Sequence, residues 1–276
     1  IWAWGIIGLL MIQFLVLIFL QKINWKKYPS RPSYHPFVSI LIAARNEQKD
    51  LPRLLKSLEN LNYPKEKLEV LFADDDSHDG TGEILANWCR KNPHGKTYRI
   101  SPDLLGCFHP NGKANALAIL AKEANGAYFF YTDADCEVSG SWILAGLAPF
   151  VEKIGMVIGV TQVKAETLFE SMQELDWWNT LSMVKVVTDL GFSTTGLGNN
   201  MVISREAYEK AGGFESCEPS LTEDLEISRL VAKAGFKIRQ QFSPEMLTST
   251  KAEKDWSALL KQRKRWMNGV MTLSLG

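Results

Sequence analysis

The first twenty residues constrain this chain most. From Ile1 to Leu20 the only strongly polar side chain is Gln13. A helix rises ~1.5 Å per residue, so such a run covers the ~30 Å of a bilayer's hydrocarbon core. A transmembrane helix is therefore expected over residues 1–21. Trp2 and Trp4 at one end, with Trp25 and Tyr28 beyond the other, suit the two membrane–water interfaces, and Lys22, Lys26, Lys27 and Arg31 follow the span directly. Basic flanks are retained on the cytoplasmic side, so the rest of the chain is expected in the cytosol, anchored to a cell's inner or plasma membrane. A cleaved signal peptide fits less well, because the run is too long and no small-residue cleavage site follows it.

Residues 22–36 form a linker containing Pro29, Pro32 and Pro36, after which short apolar runs alternate with helical patterns. Strands are expected at Phe37 to Ala43, Leu68 to Ala73, Thr97 to Ile100 and Ala127 to Tyr131. Between them, Leu51, Leu54, Leu55, Leu58 and Leu61 repeat at helical spacing behind Asp50 as N-cap, and further helices are expected near Glu83 to Lys91 and Lys113 to Ala124. This order predicts an α/β domain over residues 37–269 with a mostly parallel sheet, whose ligands bind beyond the carboxyl ends of the strands. A long apolar-faced helix from Glu166 to Leu190, with Met172, Leu175, Trp178, Leu181, Met183 and Val187, is expected to pack mainly into the core. The start at Ile1 and the apolar restart Val270-Met271-Thr272-Leu273 suggest a piece of a longer protein, with residues 270–276 opening a truncated, membrane-associated segment.

Acidic and basic residues balance at 31 each, which gives no support for nucleic acid as a partner. Cys89, Cys107, Cys136 and Cys217 are scattered without metal-ligand spacing and are expected to be reduced and mostly buried. His35, His78, His94 and His109 also lack such spacing.

The acids gather where the strands are expected to end. Asp74, Asp75 and Asp76 follow one strand, and Asp133 and Asp135 another. Adjacent carboxylates repel unless a cation or donors compensate them. Asp133-Ala134-Asp135 has a spacing that lets oxygen ligands reach Mg²⁺ or Mn²⁺, although short acidic pairs also occur as solvated turns. Ser77, Asp79, Gly80 and Thr81 are turn and cap residues. Lys113 opens a helix, where a lysine opposes the dipole unless an anion is present. Ser220-Leu221-Thr222-Glu223-Asp224 starts an amphipathic helix, with Thr222 as N-cap and Leu221, Leu225, Leu230, Val231 and Ala234 turned to a core. Its acids suit either the dipole or a general base. Gln262, Arg265 and Trp266 lie at i, i+3 and i+4 and share one helix face.

In this order the motifs resemble the catalytic domain of family 2 glycosyltransferases with a GT-A fold, above all the membrane-bound branch of cellulose, chitin, hyaluronan and poly-N-acetylglucosamine synthases and ceramide glucosyltransferases. The matching residues are Asp74-Asp75 with Ser77, Asp79, Gly80 and Thr81; Asp133-Ala134-Asp135; Thr222-Glu223-Asp224; and Gln262-x-x-Arg265-Trp266. The resemblance implies that Glu47, Asp74 and Asp75 hold the uridine end of a UDP-sugar. Lys113 and Asp135 would address its diphosphate, and Asp133 and Asp135 would place Mg²⁺ or Mn²⁺. Asp224 would be the base, and Gln262, Arg265 and Trp266 would frame the acceptor, a lipid or growing polysaccharide, and the leaving diphosphate. Three positions depart from the pattern: Ala43 replaces a usual proline, Asp76 a usual glycine, and no proline lies between Thr250 and Trp256. A nucleotidyltransferase would share the acids and Lys113 but not explain Gln262, Arg265 and Trp266. A non-catalytic membrane-anchored assembly or binding subunit would not explain the intact Asp133, Asp135 and Asp224.

Overall fold

The structure, a computed structural model, describes residues 2–29, 34–100, 112–151, 153–192, 195–218 and 222–271. Arg31, Pro32, Cys107, His109, Asn111, Ser220, Leu221 and residues 272–276 of the expected C-terminal segment lie outside the described residues.

Helix α1 (Trp2–Asn24) runs three residues past the expected boundary. Its Trp4–Asn24 stretch is long and apolar enough to cross a membrane. Strands and helices then alternate: β1 (Val38–Ala44), α2 (Leu51–Glu59), β2 (Leu68–Asp75), α3 (Thr81–Lys91), β3 (Gly95–Ile100), α4 (Gly112–Glu123) and β4 (Tyr128–Tyr131). There follow β5 (Glu137–Val138), α5 (Trp142–Leu147), β6 (Ile154–Ile158), β7 (Val160–Val163), α6 (Leu168–Asp189), β8 (Met201–Ser204), α7 (Arg205–Ala211), α8 (Glu223–Lys233), β9 (Lys237–Gln240), β10 (Leu247–Thr250) and α9 (Trp256–Met271).

The main sheet has seven strands in the order β3-β2-β1-β4-β8-β6-β9. It is the expected mostly parallel sheet, with β8 inserted antiparallel to both β4 and β6. Alternation along β1 sends Ile40 and Ile42 to one face and Leu41 to the other, so two cores form. Leu51, Leu54 and Leu58 of α2 cover the first, whereas Leu117 and Leu120 of α4 with Ile227 and Val231 of α8 cover the second. A smaller sheet, β5-β10-β7, was not legible, since strands of two to four residues carry too little alternation to detect.

Several local expectations need correction. Asp50 and Thr222 occupy N-cap positions, but neither side chain makes a capping bond. On α8 the buried apolar residues are Ile227 and Val231, and the half-buried Leu230 packs against the same core as expected, while Leu225 and Ala234 are only half-buried. Core packing of α6 holds for Leu181 but not for Met172 or Leu175, which are exposed, because this helix packs on β7, β9 and α1. Trp25 and Tyr28 face the domain: Trp25 meets Phe242 edge-on at 4.9 Å, and Lys185 Nζ lies 5.2 Å from the Tyr28 ring centre. The cysteines keep to expectation in their burial: Cys136 and Cys217 are buried and Cys89 is half-buried.

Candidate active site

The loops after β1, β2 and β4 meet at the carboxyl edge of the parallel strands. Polar residues of the second loop fasten the first. The Asn46 N–H donates to Ser77 Oγ at 3.0 Å, the Glu47 N–H to Thr81 Oγ1 at 2.8 Å and the Gln48 N–H to Asp79 Oδ2 at 3.2 Å, while the His78 N–H donates back to Asn46 Oδ1 at 2.9 Å. Ser77, Asp79 and Thr81 thus hold Glu47 in place. Asp74 is buried and accepts the Ser77 N–H at 3.1 Å; Asp75 lies 3.5 Å from Arg45. Burial, followed by the nearby Asp135, pushes the Glu47 carboxyl up to about 7. Asp76 turns away from the strand with φ +54, a left-handed conformation that glycine adopts freely and aspartate tolerates.

Lys113, at the first turn of α4, joins two motifs. Its Nζ lies 2.7 Å from Asp133 Oδ1 and 3.0 Å from Glu223 Oε1. Burial opposes its charge, but Asp133 and Glu223 outweigh this and hold its pKa well above the ordinary lysine value. In return Lys113 keeps the Glu223 carboxyl below its usual range in spite of burial. Asp224 points elsewhere. Its Oδ2 accepts the Gly198 N–H at 2.9 Å and its Oδ1 the Leu225 N–H at 2.8 Å. Burial, and then Glu223, push the Asp224 carboxyl up to about 6. The approach is close: a Cβ at Gly198 would touch both Asp224 and Lys113 at 3.4 Å.

Asp135 is paired with a second lysine, Lys251. Burial and the neighbouring Asp133 raise the pKa of Asp135. Lys251, directly after β10, lies 2.6 Å from Asp50 Oδ2 and 3.7 Å from Asp135 Oδ2, and Arg53 donates to the Asp135 carbonyl. Sequence reasoning missed Arg53 and Lys251 and took Asp50 only as a cap; no local spacing links residues 50, 135 and 251. Among the described residues no group of three or more His, Cys, Asp and Glu side chains is arranged to hold a metal ion. Asp133 and Asp135 are a pair of partly accessible oxygen donors with raised mutual repulsion, a set that fits a hard cation whose shell is completed by phosphate oxygens and water.

Helix α9 reaches the site at its far end, where a Cβ on Gly269 would collide with the Thr222 side chain. Arg265 is near enough to lower the Glu223 pKa. Gln262 and Trp266 turn instead to neighbours: Gln262 Nε2 donates to Glu253 Oε1 at 2.7 Å, and the half-buried Trp266 meets Trp177 edge-on at 5.4 Å with the Arg263 guanidinium 4.3 Å from its ring centre. The structure therefore gathers Glu47, Asp74, Asp75, Lys113, Asp133, Asp135 and Asp224 along one sheet edge. It brings Arg265 to them and leaves Gln262 and Trp266 at the α6–α9 junction.

The sequence profile described as "Glycosyl transferase family 2" matches residues 39–212, more than half of the chain and all strands from β1 to β8. The chain belongs to glycosyl transferase family 2. Among family members it is 30% identical over 262 residues to the Bacillus subtilis (strain 168) protein named "Probable glycosyltransferase YdaM", covering 89% of this chain and 58% of that protein. It is 30% identical over 244 residues to the beta-monoglucosyldiacylglycerol synthase of Nostoc sp. (strain PCC 7120), covering 85% and 49%. To the poly-beta-1,6-N-acetyl-D-glucosamine synthase of Staphylococcus epidermidis it is 24% identical over 235 residues, covering 84% and 54%. The chain thus spans about half the length of the curated relatives it matches. The mannosyltransferase PcManGT of Pyrobaculum calidifontis, solved with GDP-Man and Mn²⁺, shares the fold with a TM-score of 0.75 at 18% identity, over 96% of this chain and 71% of that one. The family 2 domain here is accordingly a GT-A domain behind an apolar N-terminal helix.

Proposed function

We propose that this chain is the catalytic part of a membrane-anchored, inverting glycosyltransferase that moves a sugar from a nucleotide diphosphate donor to a hydroxyl of a lipid or growing polysaccharide. In this reading a membrane span over residues 1–21 leads through a linker over 22–36 into a cytosolic GT-A domain over residues 37–269, and residues 270–276 open a further, membrane-associated segment. The observation that carries the proposal is the Lys113 bridge between Asp133 and Glu223, which links the end of β4 to the start of α8. A donor diphosphate and an acceptor hydroxyl would meet on the two sides of that bridge.

In this reading Glu47, Asp74 and Asp75 take the nucleoside, with uridine favoured. Asp133 and Asp135 would hold Mg²⁺ or Mn²⁺, which when bound neutralises the leaving diphosphate. Lys113 adds a fixed positive charge beside it. At Asp224 burial and Glu223 outweigh the influence of Lys113, and a carboxyl with a pKa of about 6 suits general-base work near neutrality. It takes the proton of the acceptor hydroxyl as the acceptor oxygen bonds to the anomeric carbon and the bond to the diphosphate breaks. One displacement turns an α-linked donor into a β-linked product, in keeping with the "beta" in the names of two relatives. Glycolipid and polysaccharide acceptors draw support from the same names, and a divalent cation from the Mn²⁺ bound to PcManGT.

Membranes carrying the chain, given labelled nucleotide sugars, should yield labelled lipid or polymer and free nucleoside diphosphate, and excess chelator should stop the reaction. Release of pyrophosphate or sugar phosphate instead would indicate nucleotidyl transfer, and full turnover in chelator would remove the cation from the scheme.

A further inference from the structure

Each member of the Asp133–Asp135 pair has its own lysine, but the two lysines are held differently. Lys113 stands between Asp133 and Glu223 at 2.7 and 3.0 Å. Lys251 lies 3.7 Å from Asp135 Oδ2 yet only 2.6 Å from Asp50 Oδ2, and its side chain is 52% exposed. Asp50 comes from the start of α2 and Lys251 from the end of β10, so two otherwise separate elements close over the outer side of Asp135.

We propose that Lys251 and the divalent cation are alternative partners of Asp135, with Asp50 as the site to which Lys251 withdraws, so that this pair sets how tightly the cation is held. The proposal rests on Asp133 and Asp135 being cation ligands. A bound Mg²⁺ lies ~2.0–2.1 Å from a carboxylate oxygen. An ammonium within 4 Å of the same oxygen then faces a divalent charge at close range, and repulsion opposes joint occupancy. Lys251 does not have to lose its partner when this happens. Asp50 is already the nearer carboxylate and keeps the ammonium paired while Asp135 is released. Among the described residues, Asp50 and Asp135 are the carboxylates within ion-pair distance of Lys251. Removing either member of the Asp50–Lys251 pair should consequently act in opposite directions.

The test is Mn²⁺ binding, followed by electron paramagnetic resonance on the chain in detergent, with and without UDP. Lys251→Gln removes the competitor and should tighten Mn²⁺ binding roughly two- to fivefold, the range of a partly exposed ion pair. Asp50→Asn leaves Lys251 with Asp135 alone and should weaken it by a similar factor. The double variant should bind as tightly as Lys251→Gln, because the effect of Asp50 passes through Lys251. Unchanged or weaker binding by Lys251→Gln overturns the proposal, as does a loss from Asp50→Asn that persists without Lys251. Asp135→Asn separates the two levels. If it abolishes Mn²⁺ binding while Lys251→Gln changes nothing, this proposal alone fails. If wild type binds no Mn²⁺ under either condition, or Asp135→Asn binds it normally, the cation site itself fails and takes the proposal with it.

Discussion

At the scale of single residues, Glu223 and Asp224 are adjacent but electrostatically opposite. Lys113 holds Glu223 ionised, whereas Asp224 accepts two backbone N–H groups and, although Lys113 also acts on it, burial and Glu223 raise its carboxyl to about 6. A base works in its unprotonated form, so the transfer rate should rise as pH increases through about 6 and level off above it, as a pH–rate profile at saturating donor would reveal. Asp224→Asn should lower transfer by ~10²-fold or more while nucleotide affinity stays near wild type. Stability should move the other way. A carboxyl whose folded pKa is raised favours folding at low pH, and this contribution is lost as pH rises through the folded value. Measured against the Asn variant, wild type should therefore lose melting temperature as pH rises from about 4 to about 8. Near-normal transfer would return Asp224 to a helix-start role and leave Glu223 as the candidate. Both acids were legible in sequence because a helix start limits where they can point; their difference was not, because it depends on Lys113, more than a hundred residues away. Asp76 is a similar case. Its departure from glycine is tolerated because φ is +54, which no composition reveals.

At the scale of elements, α6 departs most from expectation. Its C-terminal half carries a fully buried ion pair, Lys185 with Asp189 at 2.8 Å, and Lys185 Nζ also donates to the carbonyls of Lys26 at 2.8 Å and Gln240 at 3.0 Å. A polar pair inside an apolar stripe breaks the periodicity from which helix faces are read, so the burial of this half and the exposure of Met172 and Leu175 could not be inferred. Asp189→Ala would strand a buried ammonium and should cost ~3–5 kcal/mol in chemical unfolding. Lys185→Met with Asp189→Leu should recover only part of it, because the Lys26 N–H and the Lys26 and Gln240 carbonyls lose these bonds. If the single variant unfolds like wild type, the pair does not hold the junction. Helix α9 meets α6 through Trp266, whose ring touches Trp177 and Arg263. One flank is so occupied; under the proposed function the rest of the indole would stack on an acceptor's apolar sugar face. Trp266→Ala should raise the acceptor KM more than it alters donor affinity, with activity normalised to folded enzyme. Unchanged acceptor kinetics in a well-folded variant would assign Trp266 to packing alone.

At the scale of the whole molecule, the strand–helix alternation and the apolar N-terminus were enough to predict an α/β domain behind a membrane helix, because both patterns repeat over many residues. How the two parts join was not predictable. The chain after α1 is pinned to the domain: the Lys26 N–H donates to Asp189 Oδ2 at 2.8 Å, Lys26 Nζ to the Asp189 carbonyl at 2.7 Å, and Gln241 Nε2 to the Tyr28 carbonyl at 2.8 Å. Trp25 and Tyr28, expected at the membrane interface, are taken up by the same junction. The domain therefore follows α1 with little slack, so with α1 spanning a membrane as proposed, the domain lies on the side on which the helix ends. Lys22, Lys26 and Lys27 at that end favour the cytosol, in line with the nucleotide-sugar donor proposed above. A protease added to sealed cells should leave the domain intact and digest it only after the membrane is permeabilised. Efficient digestion in sealed cells would place the carboxylate cluster outside, where Lys26 could not be acting as a retained basic flank, and would reverse the orientation argued from the N-terminal charges.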